Sequence, residues 1–323
     1  MNEIFMKVIV GLGLAFILTA CAEAEEANQQ VGSAKESSQN EIVEIENGDQ
    51  ILTISEVPER AVTLNQHVTE VMLALGLEDH MIGTAYLDDE VLPEWREAYE
   101  SIPVLAEQYP SQEVFLDAEP DFAYAGWSSA FNEEAIGSID QLKSYGINAY
   151  LHQSSTKVGP ALDDIYMDIR HIAKIFNVVE RGEDLIRELD NEIEQIKEQI
   201  PSDQPKKRVF VYDSGETAAF TVGQNFLNQL ITMAGAENIF SDLDKNWAEV
   251  SFEEVVQRDP EVIIIIDYDE TSVEQKRQQL MTHPALTGIT AIQEENFIVL
   301  PLSSAAEGVR VAKALEVIVE GLY

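Results

Sequence analysis

Between residues 160 and 200 the chain carries a helical apolar rhythm that no other segment sustains for as long. Leu162, Ile165, Ile169, Ile172, Ala173 and Phe176 recur every three or four positions, and Leu185, Leu189, Ile193, Ile196 and Ile200 continue the stripe. Arg181-Gly182 is a weak point within it, and Pro201 ends it. On either side the pattern changes to short apolar runs, each followed by helical spacing. Residues 61–64, 81–84, 102–105, 121–124 and 147–151 come before; residues 208–212, 262–266 and 297–300 come after. Strands alternating with helices build parallel sheets. The chain is therefore expected to be α/β, with two lobes around central parallel sheets joined by a long rigid helix.

The N-terminal residues are of a different kind. Lys7 precedes an apolar stretch over residues 8–20, which closes with Leu18-Thr19-Ala20-Cys21. A positive residue, a short apolar segment and small residues before a cleavage point make a secretory signal, and the stretch falls short of the roughly 20 residues that span a bilayer. A small residue followed by cysteine resembles the lipobox of bacterial lipoproteins, in which the cysteine is acylated. Met6 begins such a signal better than Met1, which is followed by Glu3. The expected organisation is a signal peptide over residues 1–20, a flexible tether over 21–45, an N-terminal lobe over 46–157, a connector over 158–201 and a C-terminal lobe over 202–323. The protein would then be extracytoplasmic and lipid-anchored to the cell membrane through Cys21. Cys21 is the one cysteine, so its acylation excludes thiol nucleophiles, thiolate metal sites and internal disulfides.

Against 20 basic residues stand 59 acidic ones, a formal net charge of −39. Such a surface repels nucleic acid and anionic lipid, and the spread of the carboxylates along the chain suits hydration of a secreted protein. Nucleophile-elbow, phosphate-loop and His-Glu-x-x-His zinc motifs are absent, so no enzyme is expected.

Several phrases recur in a familiar order. Pro58-Glu59-Arg60 opens the first strand, Thr69-Glu70 precedes Ala74-Leu75-Gly76, and Ser111-Gln112-Glu113 is followed by Glu119-Pro120-Asp121. The second half has Phe220-Thr221-Val222-Gly223, Ala234-Gly235-Ala236-Glu237, Trp247-Ala248-Glu249-Val250-Ser251-Phe252-Glu253 and Asp259-Pro260-Glu261. Over roughly residues 55–320 the chain resembles the substrate-binding proteins of ABC importers for ferric siderophores, haem and cobalamin. The resemblance implies two Rossmann-like lobes with the ligand in the cleft between them, and small lobe movements because the connector is helical. It implies a monomer that hands its ligand to a permease dimer driven by a cytoplasmic ATPase. One exposed glutamate per lobe, here Glu113 and Glu253, would dock against permease arginines; taken alone, either could instead serve the start of a helix.

In open parallel sheets ligands gather beyond the carboxyl ends of the strands. Residues that follow the expected strands are therefore candidates: His67, Tyr86, Tyr109, Trp127 and His152 in the first lobe, and Glu216, Trp247 and Tyr268 in the second. Aromatic faces with few polar groups suit a bulky, partly apolar ligand. Lys157 and Arg310 are the nearest cations, which favours a neutral or cationic ligand such as a hydroxamate siderophore or a corrinoid over an anionic deazaflavin-cofactor precursor. A second reading is direct capture of zinc or manganese by His67 and His152, completed by Asp88, Asp89 or Glu216. A non-transport reading is an adhesion or sensory lipoprotein. No resident cofactor or metal is expected. His80 and His283 read as loop residues and His171 as solvated.

Overall fold

The computed structural model describes residues 42–268 and 271–323. Cys21, the signal segment and the tether up to residue 41 lie outside them. An antiparallel hairpin comes first, β1 (Val43–Asn47) and β2 (Gln50–Ile54), turning at Gly48 with φ +62°. Ile45 and Ile54 enter the core, so ordered structure begins inside the segment read as tether. Asn47 fastens the hairpin to the first lobe: its Nδ2 donates to the Leu151 carbonyl at 2.8 Å, and its Oδ1 accepts from the Leu151 amide at 3.1 Å.

The first lobe alternates β3 (Ala61–Leu64), α1 (Gln66–Ala74), β4 (Met81–Ala85), α2 (Arg96–Glu100), β5 (Val104–Ala106), α3 (Gln112–Asp117), β6 (Phe122–Ala125), α4 (Ile139–Ser144) and β7 (Asn148–Leu151). Its strands are all parallel, in the order β5-β4-β3-β6-β7. The order reverses about β3, so the crevice that a ligand would use opens beyond the carboxyl end of β3 and its neighbours.

Two helices follow, α5 (Leu162–Ile175) and α6 (Val179–Lys197). The long connecting helix is α6, 19 residues, packed on α5 and on the last helix of the chain. The interruption falls at residues 176–178, not at Arg181-Gly182. Asn177 takes φ +57°, and the Val178 amide reaches back to the Ala173 carbonyl at 2.7 Å, which closes α5 with a left-handed turn. Gly182 instead permits a close crossing, since a Cβ there would lie 2.6 Å from the Ala173 methyl.

The second lobe holds β8 (Arg208–Tyr212), β9 (Ala219–Val222), α7 (Phe226–Met233), β10 (Glu237–Asn238), β11 (Trp247–Val250), α8 (Phe252–Arg258), β12 (Val262–Asp267), α9 (Val273–Thr282), α10 (Thr290–Gln293), β13 (Phe297–Pro301), α11 (Leu302–Ala305) and α12 (Val311–Leu322). Its main sheet is parallel in the order β10-β8-β12-β13, with β9 and β11 forming a separate antiparallel pair. The unbroken run 262–266 is read correctly as a doubly covered strand. Ile264 and Ile266 join one apolar cluster with Val209 and Val211, and Ile263 and Ile265 join another with Phe210.

Candidate functional site

Two non-glycine residues hold left-handed backbone directly after adjacent first-lobe strands: Asn65 beyond β3 at φ +93°, and Tyr86 beyond β4 at φ +59°. Such backbone costs on the order of 1–3 kcal/mol and collects at functional sites. Asn65 is held by its amide on the Ala85 carbonyl at 3.0 Å, and its side-chain oxygen accepts from the Tyr109 hydroxyl at 3.0 Å. Tyr109 meets Tyr86 edge-on, ring centroids 4.7 Å apart, and its hydroxyl also lies 3.0 Å from the Ser129 hydroxyl.

His67, in the first turn of α1, is buried beside this group. Its ring lies 4.9 Å from that of Trp127, which follows β6, and 5.4 Å from that of His152, which follows β7. Two glycines make room for it: a Cβ at Gly126 would fall 2.2 Å from His67 Cε1, and one at Gly308 would fall 2.9 Å from His67 Cβ. Burial, with the neighbouring His152, holds the His67 pKa well below that of an ordinary imidazole. Burial also lowers His152, although Asp168 opposes the shift. Both rings are therefore neutral at neutral pH.

Asp168 anchors the far side. It accepts from the Tyr150 hydroxyl at 2.6 Å and from the backbone amides of Gln153 and Ser154 at 2.7 and 2.8 Å. The His152 Nδ1 pairs with the Tyr124 hydroxyl at 2.7 Å, while its Nε2 stands 3.4 Å from Asp168 without forming a hydrogen bond. Asn65 Nδ2, His67 Nε2, His152 Nε2 and Ser154 Oγ are all buried without a hydrogen-bond partner among the described residues. Unpaired buried groups cost about 1–3 kcal/mol each, so their concentration here marks the seam as a candidate site.

Residues 303–310 of the second lobe lie against the seam. Ser303 donates to Asp89 at 3.2 Å, Ser155 donates to Glu307 at 3.3 Å, and Gly308 packs on His67. Arg310 crosses between the lobes to Glu70, with Nε donating at 2.7 Å, and both side chains are buried. Its second nitrogen reaches the Ser303 hydroxyl at 2.9 Å and lies 3.5 Å from Asp89. Next to Tyr86, burial and the adjacent Asp89 raise the Asp88 carboxyl to about 6.

Five expected first-lobe residues, His67, Tyr86, Tyr109, Trp127 and His152, thus form one cluster with Asn65. The three second-lobe residues fall into separate groups. Trp247 stacks on Phe220 at 5.5 Å with planes 9° apart, and Tyr268 donates to Asp213 at 2.6 Å. Glu216 is exposed. The strands of Trp247 and Phe220 abut a lobe crossing, where Asn246 donates to the Lys157 carbonyl at 2.7 Å. His171 is not solvated as expected: it is half-buried, its Nδ1 2.9 Å from the Tyr150 hydroxyl. Asp168, Glu307 and Gly308 were not singled out from sequence. Asp168 was the discoverable one, being a carboxylate on the same helical stripe as Ile165, Ile169 and Ile172.

Glu113 and Glu253 occupy equivalent places, in the first turns of α3 and α8. The caps are made by others. Ser111 accepts from the Val114 amide, and Ser251 forms a capping box with Glu254. Both glutamates are exposed and carry no hydrogen bond or ion pair among the described residues.

Two parallel α/β lobes that share a buried polar seam, joined by a long helix, define a two-lobed binding protein. Residues 61–303 match the family described as periplasmic binding protein, and the chain belongs to it. A crystal structure of a periplasmic binding protein from Veillonella parvula DSM 2008 superposes with a TM-score of 0.81 at 31% identity, over 87% of this chain and 97% of that one. An uncharacterized ABC transporter substrate-binding lipoprotein of Bacillus subtilis is 23% identical over 98% of both chains. The vitamin B12-binding protein of Vibrio parahaemolyticus is 28% identical over 66% of this chain and 72% of its own. The resemblance to ABC-importer substrate-binding proteins drawn from the sequence phrases is borne out.

Proposed function

We propose that the protein is the extracytoplasmic, lipid-anchored binding component of an ABC importer. It captures a neutral or cationic metal chelate or corrinoid, such as a hydroxamate siderophore or a cobalamin-type molecule, and passes it to a permease dimer. The observation that carries the ligand class is the electrostatics of the seam. The cation closest to it, Arg310, is bound to Glu70, and both histidines are kept neutral by burial. What faces a ligand is an aromatic wall of Tyr86, Tyr109 and Trp127 beside the carboxyl of Asp88. Among the described residues, an anionic catecholate, citrate or deazaflavin-precursor ligand would meet no uncommitted positive charge there. The B12-binding relative supports the corrinoid arm of the reading. Direct zinc or manganese capture finds less support, since no group of three or more His, Cys, Asp or Glu side chains among the described residues is arranged to hold a metal ion.

The deciding experiment is tryptophan quenching of a soluble form beginning at residue 40. The panel is ferrioxamine, a catecholate chelate, ferric citrate, haem, cobalamin, cobinamide, a deazaflavin precursor and zinc. Saturable quenching by ferrioxamine or a corrinoid, with the anionic ligands silent, is the expected result. Tight binding of an anionic chelate would overturn the charge argument. A response to zinc alone would make His67 and His152 metal ligands.

A further inference from the structure

Gln66 is the first residue of α1, a place where polar side chains ordinarily turn back to the helix's own amides or reach water. Here the side chain does neither. It is 1% exposed and reaches across to the loop that follows β4. Its Oε1 accepts from the backbone amides of Asp88 and Asp89 at 3.1 and 2.8 Å, and its Nε2 donates to the Glu90 carbonyl at 3.1 Å. Glu70 fixes which way the amide faces, because its carboxylate accepts from the same Nε2 at 3.3 Å. Arg310 in turn holds Glu70 from the second lobe and adds its own bond to the Glu90 carbonyl at 2.6 Å.

The loop so fastened carries two groups of the ligand wall, Tyr86 and Asp88. Tyr86 holds left-handed backbone at φ +59°, which a bulky residue keeps only when its surroundings impose it. Burial chiefly raises the Tyr109 hydroxyl pKa and the charges of Tyr86 and Asp88 add to it, so Asp88 stands near the aromatic wall. The Asp88 carboxyl itself has no hydrogen-bond or ion-pair partner among the described residues. Its place is therefore set by the backbone, and the backbone there is held by Gln66. We propose that Gln66 is a positioning residue for ligand selection: it fixes the loop over residues 86–90 so that the Asp88 carboxylate meets a positive group on the chelate. A chelate with a pendant ammonium is thereby preferred over a neutral one with the same metal-binding groups. The inference rests on the reading of the first-lobe cluster as the ligand wall. An apolar side chain of equal size would fill the same space but leave the Asp88 and Asp89 amides unpaired and the loop free to shift.

The test compares Gln66→Met with wild type in two measurements. In hydrogen exchange of the ligand-free protein, the Asp88 and Asp89 amides should open at least about tenfold faster in the variant, with the increase confined to residues 86–90. Asn238→Leu is the matched control, because Asn238 is a buried amide of the second lobe that binds the Val222 and Gly223 carbonyls and the Phe240 amide. It should lower the urea midpoint and leave residues 86–90 closed. In quenching at pH 7, wild type should bind ferrioxamine B, whose arm ends in an ammonium, about two- to fivefold more tightly than ferrioxamine E, its neutral ring-closed counterpart. Gln66→Met should bring that ratio to about one, as Asp88→Asn does, and the two changes together should lower it no further. Unchanged exchange in Gln66→Met, an increase spread over the whole molecule, a wild-type ratio of one, or a ratio that falls in Asp88→Asn but survives Gln66→Met would each overturn the assignment. Silence of both ferrioxamines would overturn the ligand reading and the selection step with it, while exchange would still decide whether Gln66 holds the loop.

Discussion

Gly126 owes its identity to the ring of His67. It carries no left-handed φ, so an alanine there meets chiefly the imidazole, at 2.2 Å, with the Asn65 Cβ next at 3.1 Å. Gly126→Ala should cost about 1–3 kcal/mol of stability through overpacking. In a His67→Ala background the same change should cost clearly less, because the obstructing ring is gone and only the Asn65 Cβ contact remains. Urea unfolding of the four proteins checks this, and an undiminished cost in the double variant would relocate the strain to the backbone. Asp88 is the second residue with a measurable signature. Its carboxyl is raised to about 6 by burial first and Asp89 second, so it gains its charge as pH rises through that value. Affinity for a cationic chelate should rise about two- to fivefold between pH 5 and 7, and Asp88→Asn should remove the step. Ferrioxamine quenching measured across that range reads it directly.

At the scale of elements, the strands buried on both faces were legible, because β3, β6 and β12 are near-continuous apolar runs that little else could accommodate. The hairpin β1–β2 and the pair β9–β11 were not, since short half-exposed strands of mixed polarity give no such run. The break between α5 and α6 was misplaced because glycine is an ordinary sign of interruption. Here Gly182 answers to a helix crossing, and Asn177 takes the left-handed turn. Strand-end reasoning located the first-lobe cluster, but Asp168 and Glu307 are polar residues whose burial depends on distant neighbours, and spacing alone carries no trace of that. Helices α3 and α8 lead to a further prediction. Since Ser111 and Ser251 make the caps, Glu113 and Glu253 are free to serve outward contacts. Glu113→Lys with Glu253→Lys should abolish uptake in cells while leaving solution affinity within about twofold. Uptake that survives the double reversal would favour an adhesion or sensory role.

For the whole molecule, the seam makes stability depend on pH. An unfolded histidine takes a proton near 6.5, whereas His67 and His152 are held below that value in the fold, chiefly by burial. His171 is lowered too, again by burial, with Asp168 opposing. Between 6.5 and those depressed values the unfolded chain binds more protons, so stability is complete above 6.5 and is lost as pH falls, by up to about 1.4 kcal/mol per pH unit for each imidazole. Two carboxyls act in the opposite sense. Asp88 and the buried Glu307 have raised folded pKa values, so acidification relieves a cost they impose when charged. The wild-type slope is therefore a difference between histidines and carboxyls. Comparison with His67→Gln combined with His152→Gln isolates the imidazole part: the fall in urea midpoint from pH 7 to pH 5 should shrink in that variant, even though its stability at pH 7 is lower. An equal fall in both proteins would mean that acid loosens the molecule somewhere other than where its lobes meet.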